Sequence, residues 1–340
     1  MKKPKISFII PTLNSAKVLG KCLSSIRSQK YPSSNIEIIV ADGGSIDKTI
    51  VIAARFGAII VNNPLKTAEA GKAVAVKKAT GHFIALVDSD NILPHPNWLN
   101  RMLRPLIENN NIIGSEPIEF TYRKSGGFIE RYSALIGAND PYAFVTGVYD
   151  RRNRINFKWT NLNLETHVKK GYTLLSLKPN QAIPTIGANG TIFRADFLKT
   201  NLSSDYLFDI DIISSALNMQ NNPLLFAKTH TGIIHTFCES SILKFIRKQQ
   251  RRLTDYYAYK DIRSYNWQSK GSSGPIKFSL YTISIALPLL DSLRGFMHKP
   301  DWAWFFHLPA CIISLAAYGL ITTKNKFSKT KQFNRLNWQQ

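Results

Sequence analysis

Cysteine is scarce in this 340-residue chain: Cys22, Cys238 and Cys311 are odd in number and lack any C-x-x-C spacing. A disulfide framework or zinc ribbon is thereby excluded, and the three read as ordinary thiols of a reduced cytosolic setting. Acid is scarce too, with 22 Asp+Glu against 44 Lys+Arg, a formal net charge of +22. Glycine and proline number only 19 and 16, while 44% of residues are hydrophobic. That mixture excludes a disordered polycation, a collagen-like chain and a small disulfide scaffold. No internal repeat or low-complexity tract is present. The length suffices for one large or two ordinary domains with a real core. Lys2, Lys3 and Lys5 imitate a signal-peptide start. The apolar run behind them covers only residues 6–10, is broken by Pro11 and precedes no small-residue cleavage site. It reads as a buried strand.

So large an excess of base points to polyanionic company: nucleic acid, an anionic membrane face or a phosphorylated substrate. The charge is unevenly placed. Residues 1–240 carry 28 basic and 18 acidic side chains, a net of +10, and residues 241–340 carry 16 and 4, a net of +12. The most basic region is also the most apolar. Residues 278–290 hold no charge for 13 positions and residues 302–323 none for 22. The second stretch is long enough to cross a bilayer, which needs about 20 residues. The first is too short alone and contains Pro288, so it is interfacial, re-entrant or a span extended past Asp291, with a buried soluble helix as the alternative. Trp302 and Trp304 fall where an interfacial aromatic belt would lie, and Lys324, Lys326, Lys329, Lys331 and Arg335 follow without an acid. Such a basic end is expected in the cytoplasm. A membrane-embedded hairpin or helix pair is therefore expected, with residues 1–275 on the cytoplasmic side.

In the first 90 residues, strand and helix alternate. Apolar runs at 5–10, 36–40, 58–61 and 82–87 predict strands; the spacing of Val18, Leu19, Cys22, Leu23 and Ile26, and segments 47–56 and 69–80, predict helices. Alternation of this kind implies a parallel sheet with helices on both faces and strands buried on both sides. Ligands of such sheets bind beyond the carboxyl ends of the strands. Asn14, Asp42, Asp88 and Asp90, each just after a strand, would share one rim. Asp88-Ser89-Asp90 sits at the end of a strand, so its two carboxylates, two residues apart, are expected to share a face. Paired oxygen ligands suit Mg²⁺ or Mn²⁺ bridging nucleotide phosphates.

At this point the residues resemble a known family. Residues 9–14 (Ile-Ile-Pro-Thr-Leu-Asn), 40–49 (Val-Ala-Asp-Gly-Gly-Ser-Ile-Asp-Lys-Thr), Gly71-Lys72-Ala73 and Asp88-Ser89-Asp90 look like a family 2 glycosyltransferase. The resemblance is specific over about residues 5–100 and continues more weakly to about 255. It implies an α/β GT-A nucleotide-diphospho-sugar transferase fold, mostly parallel sheet with helices on both faces, followed by C-terminal membrane-associated helices. It also implies a donor site of Pro11, Thr12, Asn14, Asp42, Lys72, Asp88, Ser89 and Arg252. Residues matching Pro11 and Asp42 would lie against base and ribose, Lys72 near the diphosphate, Asp88 near the ribose and Asp90 on the metal. A solvated helix lysine is the alternative for Lys72.

Residues 186–194 resemble the family's glycine-containing acceptor segment. Residues 208–212 (Phe-Asp-Ile-Asp-Ile) are similar to its Glu-Asp motif, with Phe208 in place of Glu. Asp209 matches the general base that takes the acceptor proton, and Asp211 is its rival or coupled partner. His235 matches a histidine that completes a metal shell beside Asp90 and Asp88, the alternative being a structural histidine. Gln249-Gln250-Arg251-Arg252-Leu253 resembles the Gln-x-x-Arg-Trp of membrane synthases. Arg251 and Arg252 would then pair with a diphosphate or lipid phosphate, or else sit on a basic juxtamembrane helix. The cluster Arg151, Arg152 and Arg154 is expected to face phosphates as well.

The expected organisation is a catalytic domain over 1–240 (1–113 nucleotide-sugar half, 114–240 acceptor half), a basic helix and linker over 241–275, membrane helices over 276–323 and a basic tail over 324–340. The expected activity is inverting, Mg²⁺- or Mn²⁺-dependent transfer from a nucleotide diphosphate sugar to a lipid-linked or saccharide acceptor at the cytoplasmic membrane face. Membrane lipid is an expected partner and nucleic acid is not. The alternatives are nucleotidyl transfer, which lacks its usual Gly-rich loop here, and a membrane-tethered polyanion binder without catalysis.

Overall fold

The computed structural model describes residues 3–202, 205–220, 222–265 and 273–327. Residues 266–272, within the expected helix and linker over 241–275, and the tail beyond 327 lie outside them. In chain order the elements are β1 (Ile6–Thr12), α1 (Ala16–Arg27), β2 (Ile36–Asp42), α2 (Thr49–Arg55), β3 (Ile59–Asn62), α3 (Ala68–Lys78), β4 (Phe83–Leu86), β5 (Asn91–Ile92), α4 (Trp98–Glu108) and β6 (Ile112–Phe120). There follow α5 (Phe128–Ile136), α6 (Pro141–Thr146), β7 (Glu165–Lys169), β8 (Tyr172–Leu177), β9 (Thr191–Arg194), α7 (Ala195–Thr200), α8 (Asp211–Gln220) and β10 (Leu224–His235). The last helices are α9 (Ile242–Ala258), α10 (Gly274–Ile283), α11 (Ala286–His298) and α12 (His307–Phe327).

The chain divides into two compact units, residues 1–118 with 163–235 and residues 119–162 with 236–334, leaving aside the last few residues. Segment 119–162 therefore belongs with the C-terminal helices, where the sequence suggested an unbroken domain over 1–240.

The first unit holds the sheet, in the order β3-β2-β1-β4-β9-β6-β10-β8-β7, with β5 paired to β10. The β1–β2, β2–β3 and β1–β4 pairs are parallel; β9 lies antiparallel to β4 and to β6, and β8 to both β10 and β7. The sheet is thus mixed, less parallel than the alternation in the first 90 residues implied. β1 is buried throughout and β4 likewise, as uniformly apolar strands should be. β3 departs from that expectation: Ile59 and Ile60 are exposed because β3 is the edge of the sheet.

The strand order sets the site. From β1 the chain steps to β2 and β3 on one side, then returns to lay β4 on the other side of β1. The order reverses between β1 and β4, which is where such sheets open a crevice at their carboxyl ends. Val87 N–H donates to Ile9 O at 3.1 Å and Gly43 N–H to Thr12 O at 2.9 Å. Alternation along β1 then turns Pro11 toward the β4 side, where it offers no N–H to continue the ladder. Pro11 stops the two strands from pairing further.

The second unit is built around a cluster that includes Tyr132, Tyr149, Phe237, Phe245, Phe278 and Trp304. Its helices α10 and α11 meet at an angle of 82°, and residues 302–327 form its longest apolar helical segment.

Candidate active site

Three loops at the carboxyl ends of the strands build the rim. After β2, the Asp42 carboxylate accepts from Thr12 Oγ1 (2.9 Å), Gly44 N (2.9 Å), Ser45 N (2.7 Å) and Ser45 Oγ (2.6 Å). Gly44 takes a positive φ of 90°, which the tight turn requires. Each carboxylate oxygen already accepts two bonds, so Asp42 is held as the anchor of this turn and its oxygens are not open to base or ribose as expected. Asn14, itself at φ 50°, ties the first loop to the second: its N–H donates to Ser45 Oγ at 2.8 Å and its Oδ1 accepts from Ile46 N at 2.9 Å.

Lys72 reaches the rim from α3. Thr67 caps that helix by accepting from Ala70 N at 3.1 Å. Gly71 lets the helix lie close against the sheet, since a Cβ there would stand 2.9 Å from Asn63 Nδ2 and 3.1 Å from Pro11 Cβ. The adjacent Lys72 is buried, not the solvated lysine held as its alternative. Its Nζ lies 3.1 Å from Asp209 Oδ2 and 4.0 Å from Asp88 Oδ1. Burial works against its ammonium, but the carboxylates of Asp209, Asp88 and Glu69 outweigh it and hold Lys72 above the ordinary lysine range. Asp88 is pushed above the usual carboxylate range by desolvation; Asp90 and Asp209 add to this, and Lys72 and His235 oppose it.

Asp88, Ser89 and Asp90 do not continue β4. They form a turn, in which Asn91 N–H donates to Asp88 O (2.9 Å) and Asp88 N–H to Asn91 Oδ1 (3.0 Å). The two carboxylates do not share a strand face as the spacing suggested: Asp88 turns to Lys72, and Asp90 Oδ1 lies 3.4 Å from His235 Nε2. Ser89 Oγ is 3.3 Å from Ser15 Oγ. Among the described residues no group of three or more His, Cys, Asp and Glu side chains is arranged to hold an ion. Cys22 lies buried beside this turn, and burial, with Asp90 and Asp88, pushes its thiol far up.

The glycine-containing segment docks on the same rim. Gly190 N–H donates to Leu86 O at 3.0 Å, Asn91 Nδ2 to Asn189 Oδ1 at 3.0 Å, and a Cβ on Gly187 would stand 3.5 Å from Asp209 Oδ2. Asp209 and Asp211 part company. Asp209 sits in the turn before α8 and faces Lys72, whereas Asp211 opens α8 and is buried. The same-face relation expected of the pair holds only in extended chain.

Sequence reasoning missed a buried pair behind this segment. Glu116 on β6 and Lys228 on β10 are both fully buried and ion-paired, and Glu116 Oε1 accepts from Gly187 N (3.3 Å) and Thr191 Oγ1 (3.1 Å). Nothing local marks them, since they stand 112 residues apart.

The remaining predicted residues fall in the second unit. Arg252 on α9 donates to Asn139 O (3.0 Å) and Gln249 Oε1 (2.9 Å) and lies 3.6 Å from Asp140. The arginine cluster is largely matched, not presented to phosphates as expected. Arg151 is buried, paired with Asp150 at 2.6 Å and set 5.3 Å from the Phe120 ring, and Glu119 takes Arg154 at 3.2 Å and Arg152 at 3.9 Å.

This crevice on a mixed α/β sheet, with carboxylates and a buried lysine converging after β4, defines a nucleotide-sugar transferase fold. The sequence profile described as Glycosyl transferase family 2 matches residues 7–128. An uncharacterised glycosyltransferase of Mycoplasma pneumoniae, the MG060 homolog, is 35% identical over 265 residues, 72% of this chain and 86% of that one. The chain belongs to glycosyltransferase family 2. It is also similar to the glycosyltransferase AglE of Haloferax volcanii, 32% identical over 138 residues covering 39% of this chain and 45% of the relative, so the match spans less than half of that protein. A dolichyl N-acetyl-alpha-D-glucosaminyl phosphate 3-beta-D-2,3-diacetamido-2,3-dideoxy-beta-D-glucuronosyltransferase of Methanococcus voltae is 24% identical over 253 residues, 72% of this chain and 70% of the relative. Among solved structures, the mannosyltransferase PcManGT of Pyrobaculum calidifontis in complex with GDP-Man and Mn²⁺ shares the fold, with a TM-score of 0.51 at 14% identity over 93% of this chain and 87% of that one.

Proposed function

We propose that this chain transfers a sugar, with inversion, from a nucleotide diphosphate sugar to a hydroxyl or phosphate of a lipid-linked or polysaccharide acceptor at the cytoplasmic membrane face. The observation that carries the reading is the Asp88–Lys72–Asp209 contact at the reversal point of the sheet. It sets one buried cation between a donor-side and an acceptor-side carboxylate. The lipid-linked class is supported by the name of the Methanococcus relative and by the apolar helices of the second unit.

Asp209 is the base. Lys72 Nζ donates to its Oδ2 at 3.1 Å and orients the carboxylate, and Gly187 leaves room beside Oδ2 for a sugar hydroxyl. As that hydroxyl oxygen bonds the anomeric carbon, its proton passes to Asp209. The bond from the anomeric carbon to the diphosphate breaks, and its electron pair leaves with the diphosphate. Lys72, on the donor side, offsets part of the charge that develops there. Asp90 and His235 offer one carboxylate and one imidazole. Asp90 and His235, with Asp88 close by, are the residues that would hold Mg²⁺ or Mn²⁺. A divalent ion bound there would stabilise the departing diphosphate.

The test is the full chain with UDP-, GDP- and dTDP-sugars and Mn²⁺, following release of nucleoside diphosphate with lipid extracts as acceptor. Undiminished turnover in Asp90→Ala would sink the metal site, and undiminished turnover in Asp209→Asn the base. Release of pyrophosphate instead would mark nucleotidyl transfer.

A further inference from the structure

The last helices of the second unit are packed inside out. α11 turns Pro288, Ser292 and Gly295 inward and leaves Leu287, Leu290, Leu293 and Met297 exposed. α12 buries His307, Ala310, Cys311, Ser314 and Ala317, while Ile312 and Leu320 face outward. On α10, Ile276, Leu280 and Ile283 are each about two-thirds exposed, at 64%, 65% and 68%. A helix surrounded by water shows the opposite arrangement. Small and polar residues inward with large apolar residues outward is the pattern where hydrocarbon surrounds the helix.

Residues 302–327 are long and apolar enough to cross a bilayer. The packing of α12 opposes a crossing. Just before it, Asp301 accepts from Arg131 at 3.0 Å and from Tyr122 at 2.5 Å. Farther along, the Tyr318 hydroxyl donates to Asp140 and Gln249, and Tyr257 donates to Thr322 at 3.1 Å. The Phe245 ring meets the ring of Phe306, just ahead of α12, at 5.4 Å. Contacts from Phe245 through Gln249 to Tyr257 thus run α9 alongside α12 for most of its length. α9 carries Lys244, Arg247, Lys248, Arg251 and Arg252. Were α12 to cross, this basic helix would lie in hydrocarbon, where each cation costs about 2.5–3.5 kcal/mol even on the mildest scale.

We infer that α12 does not cross the bilayer but is the core helix of a unit that rests in one leaflet, with the outer faces of α10 and α11 lying in the plane of an anionic lipid surface. The 82° bend between them suits this, since helices of 10 and 13 residues are each too short to span. α11 has the form of an interfacial helix: Leu290, Leu293 and Met297 make one stripe, with exposed Arg294 and His298 on its flank. The net charge of +12 over residues 241–340 supplies attraction to anionic headgroups. This deepens the membrane part of the function proposed above and does not depend on sugar transfer.

The test uses the full chain and reads topology and lipid binding, not activity. The native thiols Cys22, Cys238 and Cys311 are all buried, so single exposed cysteines report cleanly. Lys124→Cys, Pro300→Cys, between α11 and α12, and Lys326→Cys, at the end of α12, are placed in sealed membrane vesicles and treated with a membrane-impermeant maleimide. Labelling of all three from the same side is expected. Labelling of Pro300→Cys or of Lys326→Cys only from the side opposite Lys124→Cys means that a helix crosses and overturns the inference. Separately, the double change Leu290→Asp, Met297→Asp is expected to cut flotation with phosphatidylcholine–phosphatidylglycerol vesicles tenfold or more while the melting transition stays in place. Unchanged flotation, or a wild-type chain that self-associates through this face in place of binding vesicles, also overturns it.

Discussion

Both compact units of this chain have an apolar core, but their elements sort residues between inside and outside differently. The first wraps wholly apolar strands such as β1 and β4 in its centre and keeps its interacting polar side chains at the strand ends, where Lys72, Asp88 and Asp209 meet. The second tucks serine, glycine, alanine and histidine inside its last helices and sends leucine and isoleucine outward. Under the membrane placement inferred above, one chain uses two solvents as references: water decides which residues the first unit hides, and hydrocarbon decides it for α10, α11 and α12. The sheet unit fixes chemistry through charge at short range. The helical unit fixes an address through surface.

Substitutions can break that contrast or sharpen it. The largest effect should come from Glu116→Ala, which takes the buried carboxylate away from the buried Lys228 ammonium and frees the Gly187 segment. A loss of about 3–5 kcal/mol in urea unfolding is expected, and less than 1 kcal/mol would show the pair to be dispensable. Lys72→Met should leave the fold in place while lowering turnover about a hundredfold or more, read as kcat under saturating donor. Gly295→Ala tests the inward face of α11. Its Cβ would stand 2.5 Å from the Trp304 ring, so overpacking of about 1–3 kcal/mol should follow in thermal or urea melts.

Acid should act on the sheet unit through Glu37. Burial raises its pKa, but hydrogen bonds from Ser7, Thr80 and Lys5 outweigh this and bring it down to about 2 from the ordinary 4.5. A depressed carboxylate stabilises the fold fully above its unfolded pKa, and that share is lost as pH falls from about 4.5 toward 2. Because Lys5 is partly exposed, the share is about 1–2 kcal/mol. Glu37→Gln should flatten acid unfolding over that window. Smallest of all, Met297→Ser should move the stability of the lipid-free chain by less than about 0.5 kcal/mol, since the residue is 75% exposed.

How much of this was legible beforehand follows from the range of the interactions. Helix and strand periods over residues 5–90 placed β1 to β4 and α1 to α3 within a few positions, because each is set by near neighbours in sequence. The strand-end rule brought Asn14, Asp42, Asp88 and Asp90 to one rim. Their individual duties were not readable, since Asp42 is consumed by its own turn and Asp90 finds His235 from the far end of β10. The placing of β9 beside β4 and the Glu116–Lys228 pair depend on partners about a hundred residues away, which no local pattern announces. The arginine cluster misled for the same reason: Asp150 is adjacent to Arg151, but Glu119 lies 35 residues before Arg154.

Pro11 has a consequence for binding thermodynamics. A strand pair that lacks the donor needed to close ahead of Ile9 and Val87 keeps its gap without any occupant. A guest entering there has no ladder to break and little backbone to order, so the entropy of association at that edge falls on the guest alone. Replacing Pro11 with a residue that carries an N–H would hand the backbone a competitor for its own crevice, and affinity would drop with every contact to the guest left intact.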